Sequence, residues 1–176
     1  MKIRRVVTGH RNGKSTIVGD DRVEAVDAGG GHLGATMWGA DSPATYPDDR
    51  SQPAYGTVFP SVGGFRVVMG TTPPGEGTEG YVYAGGTGMS PEAAAAVGAH
   101  ITFGKGHPAM HGHDTTDVIF VIEGRLSMRT EDGTEVHLEP GDWIVQNGTQ
   151  HAWINYGTVP VRTIGVIFGA KGPNGV

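Results

Sequence analysis

Short alternations of apolar and polar residues, each cut off by a turn containing glycine or proline, run along most of this chain. Residues 4–10 (RRVVTGH) and 14–20 (KSTIVGD) are β-rich runs split by Arg11-Asn12-Gly13, and Asn-Gly between two such runs predicts a hairpin. Further strands are expected over 33–38, after the Gly29-Gly30-Gly31 loop, and over 65–69, where the side chains alternate in character. Residues 41–63 are rich in Pro, Asp, Ser and Gly and read as an irregular crossing loop, with a second loop over 73–80. One helix is predicted, over 90–97. Ser90 can cap it, Pro91 suits the first helical position and the alanines supply propensity, but at two turns it must pack on a larger body. From residue 99 onward the texture is β alone. Strands are expected over 115–122, 126–129, 134–138, 143–145, 151–156 and 161–168, with Asp132-Gly133 as another hairpin turn. Strands this short, separated by turns at intervals of roughly 8–12 residues, predict an all-β barrel or sandwich.

At 176 residues the chain is sized for one well-buried core. It reads as a single domain over 1–176, in which strands, loops and the short helix of 1–98 precede a purely β part over 99–170. Thirteen Lys+Arg stand against 18 Asp+Glu, a balance that argues against nucleic acid or an anionic membrane as the partner. There are no cysteines, which excludes disulfides, thiolate metal sites and cysteine nucleophiles. The basic start of the chain is followed by no apolar stretch of the secretory type, and no run approaches the roughly 18 apolar residues of a membrane span. A soluble, cytoplasmic protein is expected.

The chemistry concentrates in residues 110–117 (MHGHDTTD). His111, His113 and Asp117 share one parity, so on an extended strand all three side chains point to the same side. Alternate residues lie about 6.6 Å apart along a strand, close enough for two imidazoles to approach one ion. Neutral imidazole and carboxylate both suit divalent first-row metals. With His151 as a distant partner, the stretch reads as most of a metal site. Taken singly, a strand histidine is more commonly a hydrogen-bonded structural residue; the case rests on the three together. A decoy lies upstream. Gly9-His10-Arg11-Asn12-Gly13-Lys14-Ser15 resembles a phosphate loop, but only three residues separate the glycines, and the β-branched, acidic sequence that follows would not start a helix.

The spacing His111-x-His113-x3-Asp117-x6-Gly124 resembles the first motif of the cupin superfamily, and Gly141-Asp142 through Gly148, His151 and Asn155 resembles the second. The resemblance covers residues 100–170 and implies a double-stranded β-helix barrel, with the segment before it supplying extra N-terminal strands. It implies one divalent metal ion per chain (zinc, iron, manganese or nickel), held by His111, His113, the residue at 117 and His151. Lys105 stands at the first motif's leading glycine, Gln146 stands where the second motif has proline, and the Gly141 arm is one residue short. The larger departure is Asp117 in place of glutamate. Being one methylene shorter, it is expected either to reach the ion as a fourth ligand or to stand beside a metal-bound water as the base that moves its proton.

By parity, Ile119, Val121 and Trp153 share the ligand face and are expected to line a substrate pocket, joined by Met69, Met128 and Trp143 from other strands. Arg66 or Arg125 is a candidate partner for a substrate carboxylate. His137 is expected to face solvent, and His107 to lie in a surface loop. Since one fold hosts many activities, three readings follow. The first is a metal-dependent enzyme acting on a small carbonyl- or carboxylate-bearing molecule by lyase, decarboxylase or isomerase chemistry, with Asp117 catalytic. The second is an Fe(II)-dependent dioxygenase, and the third a small-ligand-binding protein without turnover. A DNA-binding regulator is disfavoured by the lack of a helix-turn-helix segment. The fold resemblance also implies a homodimer, with N-terminal strands pairing at exposed sheet edges.

Overall fold

In the computed structural model, residues 1–27, 31–75 and 102–172 are described. Asn12 and Gly13 both take the left-handed backbone conformation, with φ of 52° and 73°. This is the two-residue turn whose twist matches paired strands. It joins β1 (Lys2–Arg11) to β2 (Lys14–Glu24) in an antiparallel ribbon, so the phosphate-loop decoy is a hairpin tip. Ion pairs from Arg4 to Asp20 and from Arg5 to Asp21 link its two strands, one on each face.

The remaining strands form two sheets. β3 (Val26–Asp27), β4 (Leu33–Ala40), β5 (Phe65–Thr72), β8 (Thr115–Glu123), β11 (Trp143–Asn147) and β13 (Val161–Gly169) make a six-stranded sheet in the order β11-β8-β13-β5-β4-β3. β6 (Thr102–Phe103), β7 (His111–Gly112), β9 (Leu126–Thr130), β10 (Glu135–Leu138) and β12 (His151–Ile154) make a five-stranded sheet in the order β10-β9-β12-β7-β6. Every strand pair is antiparallel, and neighbours in space are mostly distant in sequence, as in the expected all-β barrel. The turn at Asp132-Gly133 joins β9 to β10, with Gly133 at φ 86°. The helix expected over 90–97 lies outside the described residues, as does most of the loop expected over 73–80.

Side chains from both sheets meet between them. Val121, Leu126, Leu138 and Val161 form one fully packed cluster, with Ile144 and Trp153 against it. The six-stranded sheet has a different character on its two faces. Gln146, Asp117, Ile167 and Arg66 lie opposite one another across β11, β8, β13 and β5, on the inner face. Val145, Val118, Val166 and Val67 make the adjacent row, on the outer face.

Arg66 explains how the crossing loop of 41–63 is held. It is 0% exposed. Its Nη1 donates to the carbonyls of Ala40 (2.7 Å) and Phe65 (2.9 Å), its Nη2 donates to that of Thr57 (2.8 Å), and it pairs with Asp41. The guanidinium carbon lies 4.5 Å from the centre of the Tyr55 ring. A buried cation is tolerable only when its donors are satisfied in this way, and doing so ties the loop to β4 and β5. Arg66 is therefore not free to meet a substrate carboxylate. Arg125 is also engaged elsewhere, 2.9 Å from Glu139 at an exposed position.

Candidate metal centre

The expected ligand strand is broken in two. β7 ends at Gly112, β8 starts at Thr115, and His113 sits in the gap. The three histidines are nevertheless buried together. His111 is paired directly with His151 across β7 and β12, their ring centres 4.5 Å apart. His111 and His113 are 4.9 Å apart, and His113 and His151 are 6.4 Å apart, so His111 stands in the middle. Asp117 enters from β8 of the other sheet. All four residues are 6% exposed or less and border one cavity.

Hydrogen bonds orient two of the rings. His111 Nδ1 donates to the carbonyl of Ala109 at 2.7 Å, which leaves Nε2 with its lone pair. His151 Nδ1 lies 2.9 Å from the carbonyl of Thr149, which also accepts from Gln146 Nε2 at 2.7 Å. His113 is held differently, its ring stacked on Phe59 from the crossing loop with centres 4.0 Å apart. Its Nδ1 is buried without a hydrogen-bond partner, and so is Asp117 Oδ1.

Burial sets the protonation states. It pushes His113 down to about 2, with His111 and His151 adding to the fall. It pushes His151 down to about 4, and His111 is lowered for the same reason. All three imidazoles are thus neutral near pH 7, the form that ligates metals. Burial also pushes the Asp117 carboxyl up to about 6, a rise that the nearby Thr115 hydroxyl only partly opposes.

In donor type and protonation this set fits a divalent ion. Two imidazoles are held by backbone carbonyls in the manner of metal-bound histidines, and two more buried donors have no partner. As the side chains stand, however, no group of three His, Cys, Asp or Glu among the described residues is placed to hold a metal ion.

The cavity measures about 510 Å³. Of the expected pocket residues, Met69, Ile119 and Trp153 border it, the Trp153 ring 5.3 Å from that of His151. Three others do not. Val121 is consumed in the packed core, Met128 is buried away from the cavity, and Trp143 lies on the outer face, 62% exposed beside Phe120. The reason for Trp143 is that β11 turns Ile144 and Gln146 inward, which sends Trp143 and Val145 outward. His137 is exposed as expected. His107, expected in a surface loop, is buried, and its Nδ1 accepts from the Ala109 amide. Phe59, Gln146 and His32 belong to the surroundings of the site but were not marked by the sequence pattern. Gln146 had one available signal, its place at the usual proline of the second motif.

A family model described as Cupin domain matches residues 99–167. Among solved structures, the chain is similar to the polyketide cyclase RemF from Streptomyces resistomycificus, at 14% identity over 82% of this chain and 72% of that one, with a TM-score of 0.45. It is similar to an RmlC-like cupin from Shewanella frigidimarina, at 15% identity over 85% and 86% of the two chains, TM-score 0.44. It is also similar to the DMSP lyase DddQ from Ruegeria pomeroyi, at 16% identity over 68% of this chain and 43% of that one, TM-score 0.39. No curated protein matches the chain.

Proposed function

We propose that this chain, whose residues 99–167 match a cupin domain model, is a metal-dependent enzyme acting on a small carbonyl- or carboxylate-bearing molecule. The observation that carries the reading is the grouping of His111, His113 and His151, all neutral, with Asp117 on the border of one substrate-sized cavity. The four residues would hold one divalent ion, with Asp117 either as a ligand or beside it. A bound ion supplies Lewis acidity that polarises a carbonyl.

The residues of the chain do the rest. Ala109 and Thr149 fix the rings of His111 and His151 through their carbonyls. Trp153, beside His151, and Ile119 give the cavity apolar lining that excludes water. Asp117, with its carboxyl pushed up to about 6, can take a proton from a carbon next to the carbonyl and return it near neutral pH. Taking that proton serves a lyase, taking and returning it serves an isomerase, and giving a proton to the carbon left by loss of CO2 serves a decarboxylase.

The experiment is metal analysis of protein purified without added metal, together with oxygen consumption and turnover of candidate carbonyl compounds. Zinc, manganese or nickel without oxygen uptake supports the reading. Iron with oxygen uptake replaces it with a dioxygenase, and stoichiometric ligand binding without metal or turnover replaces it with a binding protein.

The homodimer belongs with this reading. Trp143, Val145 and Phe168 are 62%, 56% and 46% exposed on the outer face of the six-stranded sheet, an apolar surface of the kind that a second copy covers. Trp143→Arg should then convert a dimer to a monomer in sedimentation analysis. A wild-type monomer would exclude the dimer.

A further inference from the structure

Two of the three imidazoles at the metal centre are fixed by hydrogen bonds, and the third is not. His111 and His151 each hold Nδ1 against a main-chain carbonyl, whereas His113 Nδ1 is buried without a partner. The ring centres of His113 and His151 are also the farthest apart, at 6.4 Å, against 4.5 Å for His111 and His151. An imidazole bound at about 2.1 Å has its ring centre about 3.2 Å from the ion, so two ligands at a tetrahedral angle stand about 5.2 Å apart. His111 and His151 are already close enough to share one ion. The placement of His113 decides whether a third ring joins them.

Phe59 holds that ring. The two are stacked, with 4.0 Å between centres and 28° between planes. Phe59 comes from the crossing loop, outside the residues 99–167 that the family model matches, and its stretch of loop is anchored on both sides. Pro60 confines the backbone of Phe59 to extended conformations. The Thr57 hydroxyl donates to the Phe59 carbonyl at 2.7 Å, and the Thr57 carbonyl accepts from the buried Arg66 at 2.8 Å. Beyond Pro60, the Ser61 hydroxyl donates to the Asp41 carbonyl at 2.8 Å.

The direction of the effect follows from charge. An imidazole bound to a divalent ion takes on part of its positive charge, and the face of an aromatic ring is negative. The stack is therefore stronger in the loaded state than in the empty one, and it raises metal affinity by that difference.

We propose that Phe59 is the positioning residue of His113, its ring face serving this ligand as the Ala109 and Thr149 carbonyls serve the other two. This rests on the reading of the histidines as metal ligands. It deepens that reading by making the segment before the family domain a component of the metal centre.

The test compares zinc affinity, by competition with a chromophoric chelator, in full-length wild type, Phe59→Leu, Phe59→Tyr, His113→Ala and the Phe59→Leu/His113→Ala double variant. Melting temperatures verify that each is folded. Phe59→Leu keeps apolar bulk without the ring face and should weaken zinc about tenfold. Phe59→Tyr restores the face and should recover most of that loss. The double variant should bind no more weakly than His113→Ala alone, because Phe59 acts only through that ring. In the wild type, the His113 ring protons should stay shifted upfield by the Phe59 ring current in NMR spectra before and after zinc is added. Undiminished affinity in a folded Phe59→Leu, a Phe59→Tyr as weak as Phe59→Leu, an equal loss with and without His113, or an upfield shift that vanishes on loading would overturn the proposal. Wild-type protein that takes up neither zinc, manganese nor nickel removes the metal reading and this proposal with it. Metal uptake with any of the four contrary results removes this proposal alone.

Discussion

Replacing Asp117 by asparagine gives the most quantitative access to the site. The substitution keeps shape and removes the ability to ionise. In metal-free protein the Asp117 carboxyl titrates at about 6, against an ordinary value of 3.8, because burial penalises its charged form. The native state therefore binds this proton more tightly than the unfolded chain does. Its contribution to stability is fully present below pH 3.8 and is lost as the pH rises through 6. The gap of about two pH units, at about 1.4 kcal/mol each, corresponds to about 3 kcal/mol that the wild type forfeits at pH 8. Asp117→Asn should recover most of this, raising the melting temperature by roughly 6–12 °C for a chain of this size. At pH 5 the gain should shrink to about half, because the native carboxyl is then mostly protonated. Urea unfolding of chelator-treated protein at pH 8 and pH 5, followed by tryptophan fluorescence, measures both. A variant that is neutral or less stable at pH 8 would show that the carboxylate is not an uncompensated buried charge, and its assignment as a proton carrier would fall.

The histidines titrate in the opposite sense. With His113 pushed down to about 2 and His151 to about 4, protonation is taken up first by the unfolded chain, so metal-free protein should lose stability as the pH falls below 6.5. The loss is about 1.4 kcal/mol per pH unit for each ring, and His113→Gln should flatten the slope measured by urea unfolding between pH 7 and 5. Arg66→Met should cost about 1–3 kcal/mol in thermal unfolding, since it strands the carbonyls of Ala40 and Thr57; a variant of wild-type stability would show that the crossing loop is held by other contacts. A Cβ on Gly169 would lie 1.9 Å from the Ser61 carbonyl oxygen, so Gly169→Ala should lower stability by about 1–3 kcal/mol. Equal melting temperatures for that variant and the wild type would contradict the seating of residue 61 on β13.

Local chemistry made much of the architecture readable. Asn12, Gly13 and Gly133 take left-handed backbone, and both turns lie where their residues place them. His111, His113, Asp117 and His151 were legible as a group because their spacing carries both strand parity and family pattern, although the strand that parity assumed is interrupted at His113. What was hidden depends on partners distant in sequence. Arg66 is buried by main-chain carbonyls that no side-chain pattern marks. Phe59 sits in a loop whose composition promised only irregularity, yet that loop delivers its ring to His113. Trp143 misled because the outer face of its sheet is itself apolar, so alternation along β11 does not report which side is buried.

The central claim is that His111, His113 and His151 hold one divalent ion. The direct measurement is the metal content and metal affinity of wild-type protein beside His111→Ala and His151→Ala, with folding verified for each by circular dichroism. The account predicts one equivalent per chain in the wild type. In each variant it predicts a loss of affinity beyond the roughly 10–100-fold that removal of an outer hydrogen-bond partner costs. Wild-type protein that takes up no divalent ion, or a folded His111→Ala that keeps its ion undiminished, would contradict it.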